Sequence, residues 1–428
     1  MRGTFVGYMK RMARPCGIFA ALILLTVSAY AQSDTLRINL RSADSLFASR
    51  SFYLLAAGMN VEASKALIVQ AGLFPNPIVT ADINAYDPQN DKAFHVGSTG
   101  QKSFQLEQLI LLGGKRKAEI DLAKTNANIA ELELRNLART LKYRLHTELA
   151  EIGQQQVLLQ KYNSQLSLLD TILIAYEMPV KRGSIALKDL VRLKGVYLNL
   201  NNDRAELLQK YFEAQATVQT LLQTGQFVFF EFTENDINGY IKPTSLDELK
   251  DVALQNHPEL LLMQENQRGA EQYLRYQKSL SIPDVNLNAS YDQRGGAFLN
   301  QVNTGISIPL PLWNRNQGNI KASAFHAREA QYNLQAMRQE KLSALQNHYA
   351  LYVHTVAEYQ KATGLYNEDF ELTVRGMVFN FQRRNVSLLE FVDFFESYNQ
   401  VLAEIARMKT QLVNSAELLN LSIGKDVF

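Results

Sequence analysis

Four long stretches of this chain repeat apolar residues at steps of three and four. Between Lys115 and Tyr176 there is no proline, and Leu122, Ile129, Leu132, Leu137, Leu141, Leu145, Leu149 and Ile152 recur with charges filling the faces between them. The same texture runs from Ile320 to about Phe379, from Leu187 to Leu222 and from Leu388 to Leu421. It predicts helices of up to about 60 residues, which at ~1.5 Å per residue would each extend ~90 Å. Ordinary globular helices are far shorter, so the pattern points to a coiled coil or a helical conduit. Alanines line the same runs (Ala118, Ala123, Ala127 and Ala130, then Ala322, Ala324, Ala327 and Ala330) and permit close helix approach.

Two other segments alternate at period two. Val79, Ala81, Ile83 and Ala85 define one face of the first segment, and Thr80, Asp82, Asn84 and Tyr86 the other. In the second, Val285, Leu287, Ala289 and Tyr291 oppose Asn286, Asn288, Ser290 and Asp292. Each has a candidate partner after a turn, roughly Phe94 to Ile110 and Leu299 to Leu310, with Asp87 to Asp91 and Gly295-Gly296 as the turns. Alternation alone fits two half-buried hairpins in a soluble domain. It also fits membrane strands, which need about 9–11 residues with polar side chains toward a lumen. Four strands cannot close a barrel, since the smallest outer-membrane barrels have about eight, so several chains would have to share one.

The chain is written twice. Asn76–Ile83 aligns with Ile282–Ala289 at an offset of 206, Leu106–Lys115 with Ile306–Arg315 at 200, and Lys181–Val191 with Gln382–Val392 at 201. The predicted division has a first repeat over residues 32–224, with a short helix, a strand pair at 77–111 and a helical hairpin at 115–224. A linker follows over 225–244; it holds Phe227 to Phe230 and is expected to pack as an irregular belt element around the helices, with a flexible hinge as the alternative. The second repeat covers 245–428, with a short helix, a strand pair at 283–311 and a hairpin at 317–422.

The N-terminus changes the weight of these readings. Lys10, Arg11 and Arg14 precede an apolar run from Ile18 to Val27, and Ala29-Tyr30-Ala31 supplies a cleavage site, so residues 1–31 read as a signal peptide and Gln32 as the mature start. The single cysteine, Cys16, precedes the apolar run, which leaves the mature chain without disulfides or a cysteine-borne lipid. No later segment reads as a transmembrane helix, so membrane entry would require a closed barrel. The formal charge of +2 becomes −2 once the four basic residues of the leader are removed, and no field remains that would attract nucleic acid.

The stretches Phe104 to Gln108 with Gly113-Gly114-Lys115-Arg116, and Ile308 to Gly318, resemble the strand-to-helix junctions of TolC-family outer-membrane factors. Their Gly-Gly-Lys-Arg and Asn-Arg-Asn-Gln-Gly wordings are most similar to the heavy-metal branch that serves pumps of the RND type, the CzcC and CusC group. The resemblance implies a mainly α fold with a β-barrel part. Long helical hairpins would build a homotrimeric α-barrel tunnel in the periplasm of a Gram-negative type cell, and four strands per chain would enter a shared twelve-stranded barrel in outer-membrane lipid. It implies an adaptor protein and an inner-membrane RND pump as partners, no enzymatic activity and no cofactor.

On that resemblance the hairpin tips carry adaptor contact and gating. Tyr176, Gly183, Asp189 and Leu190 match the family's pattern at the first tip. The second departs from it: Arg384 and Asn385 occupy the glycine region and Glu390 precedes Phe391, with Asn385 expected to take the left-handed turn. Plain turn chemistry is the alternative for all of these. Asp82, Asn84, Asn286 and Asn288 are candidate lumen residues, and Gly113, Gly114, Trp313, Asn314 and Gly318 mark the junctions. The six histidines show no metal-ligand spacing, and no nucleophile elbow or phosphate loop is present. The expected function is a passive conduit for small solutes, metal ions or drugs. The alternatives are the outer-membrane part of a type I protein secretion system and a soluble periplasmic coiled-coil scaffold.

Overall fold

The computed structural model describes residues 35–295, 297–366 and 368–428. The signal peptide and Gly296 lie outside the described residues. The chain gathers into two compact units, and each draws on both repeats. Among the described residues, one contains 35–51, 144–241 and 355–414; the other contains 52–143, 242–354 and 415–428.

The second unit holds the sheet. Its strands are β2 (Ile78–Ile83), β5 (Gln101–Ile110), β7 (Val285–Arg294) and β8 (Phe298–Ser307), following β1 (Leu36–Ile38) and a small hairpin of β3 (Tyr86–Asp87) and β4 (Lys92–Ala93) in the numbering. The order is β2-β5-β7-β8, antiparallel throughout, so the two repeats meet where β5 pairs β7. The expected partner strands begin elsewhere: β5 starts at Gln101, because Phe94 to Gly100 is taken up by the β3–β4 hairpin and the turn around His95. The strand β8 ends at Ser307, because Pro309 and Pro311 have no N–H to continue a ladder.

Each strand pair is preceded by two helices. These are α1 (Leu40–Arg50) and α2 (Phe52–Ala71) in the first repeat, α6 (Leu246–Asn256) and α7 (Pro258–Ser279) in the second. Asn39 and Ser42 cap α1 reciprocally, with Ser42 N–H donating to Asn39 Oδ1 at 2.9 Å. The helix α2 corrects the expectation that no later segment could span a bilayer: it is 20 residues long, apolar enough by composition, and almost wholly exposed. Glu62 and Lys65 are its only charges, and Lys65 pairs with Glu62 at 3.2 Å and Glu131 at 3.0 Å.

The long helices are α3 (Lys115–Lys181), α4 (Leu187–Leu222), α8 (Gln317–Leu365), α9 (Glu368–Gln382) and α10 (Leu388–Ile423). The second repeat was expected to run unbroken to Phe379 but ends α8 at Leu365. Just before that end the Thr363 hydroxyl donates to the Tyr359 carbonyl at 2.9 Å. In the first unit, α3, α4 and α10 bury Leu169, Leu193 and Phe391 completely, with Tyr162, Phe395 and Tyr398 around them.

The segment 225–244 is more regular than expected. Val228–Phe230 forms β6, parallel to β1 with Leu36 opposite Val228, and Glu234–Asn238 forms the short helix α5. Buried Gln215 supplies the missing ladder partner: its Nε2 donates to Val228 O at 2.7 Å and its Oε1 accepts from Val228 N–H at 2.9 Å. An unpaired buried backbone group would cost about 1–3 kcal/mol, which explains a glutamine in this core.

Candidate functional site: a two-faced sheet and two hairpin tips

The cross-strand register sorts the sheet into faces. Thr80, Gln105, Ser290 and Asn303 lie in one row, and Asp82, Ser103, Asp292 and Gln301 in another, both on the polar face. Glu107, Asn288 and Gly305 share a third row, next to Asn286 and Ser307. Asn286 Nδ2 donates to Glu107 Oε2 at 3.1 Å. A side chain at Gly305 would put its Cβ 2.6 Å from Asn288 Oδ1, so the glycine makes room for that amide. Asn84 lies one residue past β2, its N–H donating to Gln101 O at 3.2 Å.

The opposite face carries Val79, Leu106, Ala289 and Thr304, then Ala81, Phe104, Tyr291 and Val302, then Gln108, Leu287 and Ile306, so it is mainly apolar. Val79 is 72% exposed, Val302 71% and Ile306 69%, a mainly apolar surface with no covering layer among the described residues. Among the described residues the edge strands β2 and β8 have no second partner.

The strand-to-helix junctions are held tightly. Gly113 (φ 69°) and Gly114 (φ 75°) are both left-handed. A Cβ on Gly113 would also meet Ile282 Cβ at 2.9 Å. Asp284, from the other repeat, clamps this turn, accepting from Leu112 N–H at 2.9 Å and from Lys115 Nζ at 2.6 Å. Sequence reasoning missed Asp284; its signal was a lone acid beside the start of β7. At the second junction the left-handed residue is Asn316 (φ 59°), whose Nδ2 donates to Gln277 O at 2.7 Å. Asn314 Oδ1 accepts from Asn316 N–H at 3.0 Å. Trp313 projects fully into the surroundings, and Gly318 lies in the first turn of α8 with open space where its Cβ would be.

The two tips, both in the first unit, close by the same hydrogen bonds. Arg182, Gly183 and Ser184 N–H donate to the carbonyls of Met178, Val180 and Pro179 at 3.1, 3.0 and 2.9 Å. Arg383, Arg384 and Asn385 repeat this on Phe379, Phe381 and Asn380 at 3.2, 3.0 and 2.9 Å. The left-handed residue is Gly183 (φ 72°) at one tip and Arg384 (φ 62°) at the other. Asn385 was expected there. The repeat offset of 201 explains the difference, because it places Arg384 opposite Gly183. Arg384 bears a cost glycine avoids, about 1–2 kcal/mol.

Glu390 belongs to a cap. Its Oε2 accepts from Ser387 N–H at 2.9 Å and Ser387 Oγ at 2.7 Å, while Glu390 N–H donates back to Ser387 Oγ at 3.3 Å. Those bonds to Ser387 hold its carboxyl below the ordinary range. Asp189 lies in the first turn of α4, where its negative charge suits the helix N-terminus, and Leu190 is buried behind it. Tyr176 stacks on Phe381 (centroids 6.2 Å apart), and Phe381 on Phe391 (4.1 Å), joining the two hairpins. Burial, then the Asp189 charge, pushes the Tyr176 phenol up, and Arg384 opposes this. The aromatic stack was missed because its members come from sequence positions about 200 apart.

The first unit also contains a cleft of about 870 Å³ whose lining includes Glu151, Asp203, Glu206, Glu396 and Glu404. Among the described residues no three His, Cys, Asp or Glu side chains group as a metal site. The histidines have separate partners. His146 Nε2 meets Asp44 Oδ1 at 2.6 Å, His348 Nδ1 meets Ser422 Oγ at 2.6 Å, and His257 Nδ1 accepts from Glu259 N–H at 3.2 Å.

Residues 249–425 match the outer membrane efflux protein family. The cobalt-zinc-cadmium resistance protein CzcC of Cupriavidus metallidurans is 25% identical over 338 residues, 76% of this chain and 78% of that protein. The fold is that of the solved channel CusC (TM-score 0.74, 16% identity, 92% of this chain and 94% of that one). It is also that of the CmeC outer membrane channel of Campylobacter jejuni (TM-score 0.70, 13% identity, 90% and 85%). A sheet with one apolar and one polar face and long helical hairpins are features of the fold that the chain has in common with these outer-membrane channels. Over residues 249–425 the chain is similar to outer membrane efflux proteins, and over 338 residues it is similar to CzcC.

Proposed function

We propose that the chain is the outer-membrane component of a tripartite efflux system. It acts as a homotrimer whose twelve strands close one barrel, and it exports small solutes received from a periplasmic adaptor and an inner-membrane RND-type pump. One observation carries this reading: a four-stranded sheet, mainly apolar and exposed on one face and mainly polar on the other, with both edge strands unpaired among the described residues. Such a sheet removes its edges only by pairing with further copies, and its faces then separate lipid from a wet lumen.

Asp82, Asn84, Asn286 and Asn288 would keep the lumen hydrated. The tips around Gly183 and Arg384 would move outward when the adaptor engages Tyr176, Asp189, Leu190, Asn385 and Glu390. The pump would supply the energy. Divalent metal ions are the favoured cargo because the chain is similar to CzcC over three quarters of its length.

Membrane fractionation followed by unheated gel electrophoresis tests the assembly. A heat-modifiable band of three chains is expected, and a monomeric band would overturn it. Deleting the gene should sensitise cells to cobalt, zinc or cadmium; sensitivity to drugs alone would reassign the cargo.

A further inference from the structure

The cleft of about 870 Å³ in the first unit is large enough for a small organic ligand. The helices α3, α4 and α10 line it. Part of the lining is apolar: Leu158 and Tyr162 on α3 and Leu200 on α4 are buried and belong to the core around Phe391 and Phe395. The polar part is unbalanced in two ways, and both call for the same kind of ligand.

The first imbalance is charge. Arg407 donates through Nε to Glu404 Oε2 at 2.8 Å, so those two charges offset each other. Glu151, Asp203, Glu206 and Glu396 form no ion pair among the described residues, and Lys210 is the cation left in the lining to oppose them. These acids come from three helices, and among the described residues no three of them group as a metal site. The second imbalance is in hydrogen bonding. Gln155, 3% exposed, donates through Nε2 to Glu151 Oε1 at 2.7 Å, but its own Oε1 has no partner among the described residues. Asn399 Oδ1, on a side chain 8% exposed, and Asn414 Oδ1 are in the same state. All three side chains line the cleft, and all three unpartnered atoms are carbonyl acceptors. Buried polar atoms are nearly always hydrogen-bonded, so the cleft is short of donors. A solvated acidic face has no such deficit, because its polar atoms reach water.

We propose that the cleft binds a linear organic polyammonium ion, with ammonium groups at Asp203, Glu206 and Glu396, alkyl segments on Leu158, Tyr162 and Leu200, and the amide oxygens of Gln155 and Asn399 as acceptors. An ammonium group donates hydrogen bonds without accepting any, and it carries the charge that the lining lacks. The site is elongated: Asn399 and Asn414 stand on one helix at a spacing of about 22 Å, from the rise per residue. Charges separated along a chain suit carboxylates that do not converge, whereas a bare divalent ion needs several oxygen ligands at one point. Every lining residue belongs to the first unit, so the site does not depend on the sheet entering lipid.

Equilibrium dialysis of the full-length, detergent-extracted protein against labelled spermidine at physiological ionic strength tests this. Saturable binding is expected, and Mg²⁺ added at matched ionic strength should displace little of it. Asn399→Leu removes an acceptor without changing the charge and should weaken binding about tenfold. Glu396→Gln removes an exposed charge and should weaken binding and reduce its salt dependence. Both variants are first checked for the wild-type band on the unheated gel. Uptake that never saturates, or that Asn399→Leu leaves unchanged, identifies a solvated acidic face and overturns the site. Full displacement by Mg²⁺ overturns the organic ligand in favour of a divalent ion. Absence of binding also overturns the proposal, with water or a second copy of the chain then filling the cleft. If Asn399→Leu does not give the wild-type band, Glu396→Gln and the Mg²⁺ competition decide between the same outcomes.

Discussion

Leu106 and Gln105 are adjacent on β5 and face opposite ways, so arginine at each gives opposite outcomes. Leu106 lies in the middle of the ten-residue strand, opposite Val79 and Ala289 in the apolar row. An arginine at the midplane of a lipid-facing surface costs about 2–4 kcal/mol, against about 0–1 kcal/mol near the interfaces. Each factor of ten is about 1.4 kcal/mol, so the smaller figure is already close to 30-fold in the folding equilibrium of one chain. If three chains share the barrel, the sum is about 6–12 kcal/mol, comparable with the whole stability of a typical domain. Gln105 sits opposite Thr80 and Ser290, with Glu107 as its hydrogen-bond partner on the same face. An arginine there stays in water beside a carboxylate. The assay is the yield of heat-modifiable oligomer in the outer membrane, followed by its urea midpoint in vesicles. Leu106→Arg should lose most of the oligomer and Gln105→Arg should keep it. Equal losses, or a greater loss for Gln105→Arg, would refute the assignment of faces.

Combining Gly183→Ala with Asp189→Ala should abolish export measured by cargo accumulation, while the unheated gel still shows the oligomer; loss of the oligomer would mean that these residues serve assembly. Ser387→Ala removes the reciprocal cap of α10 and should lower stability by about 1 kcal/mol, read as a shift in the urea midpoint of the wild-type and variant oligomers. Burial, then the neighbouring Lys341, lowers the His257 imidazole to about 4, so the fold favours its neutral form. The unfolded chain then binds more protons, and this contribution to stability is complete above about pH 6.5 and lost as the pH falls toward 4. Thermal scans across that window should show a fall in Tm that His257→Gln flattens. Arg384→Gly should be stabilising or neutral, since it relieves the left-handed backbone at φ 62°; a loss of export without a loss of stability would assign the arginine side chain to adaptor contact.

The features legible in the sequence are those set by local period. Alternation over Val285 to Asp292 is a property of consecutive residues, and the register carries most of it to the neighbouring strands β5 and β8. The long helices were legible for the same reason, apart from the end of α8 at Leu365, which leucine periodicity does not reveal. What required three dimensions was partnership across distance. Asp284 bonds a turn 172 residues earlier, and Gln215 stands in for a strand in a ladder only three residues long. No pattern in a window of ten or twenty residues carries either fact.

The tips show how a repeat informs and misleads at once. The wording of the second tip lacks a glycine, and reasoning by residue preference moves the left-handed position to Asn385. Reasoning by offset would have kept it at Arg384, where the hydrogen bonds of the first tip recur one for one. Backbone geometry has been retained while the side chains have diverged. Gly183 meets nothing within 4 Å of a built Cβ, so its backbone conformation is the reason for glycine there. The second tip bears its strained arginine within extra local bonding: the Ser387–Glu390 cap and the Arg383 guanidinium 4.1 Å over Phe379. The two bends are therefore equivalent as backbone and inequivalent as surfaces, and a partner that docks on both must recognise two different arrangements of charge on one repeated frame.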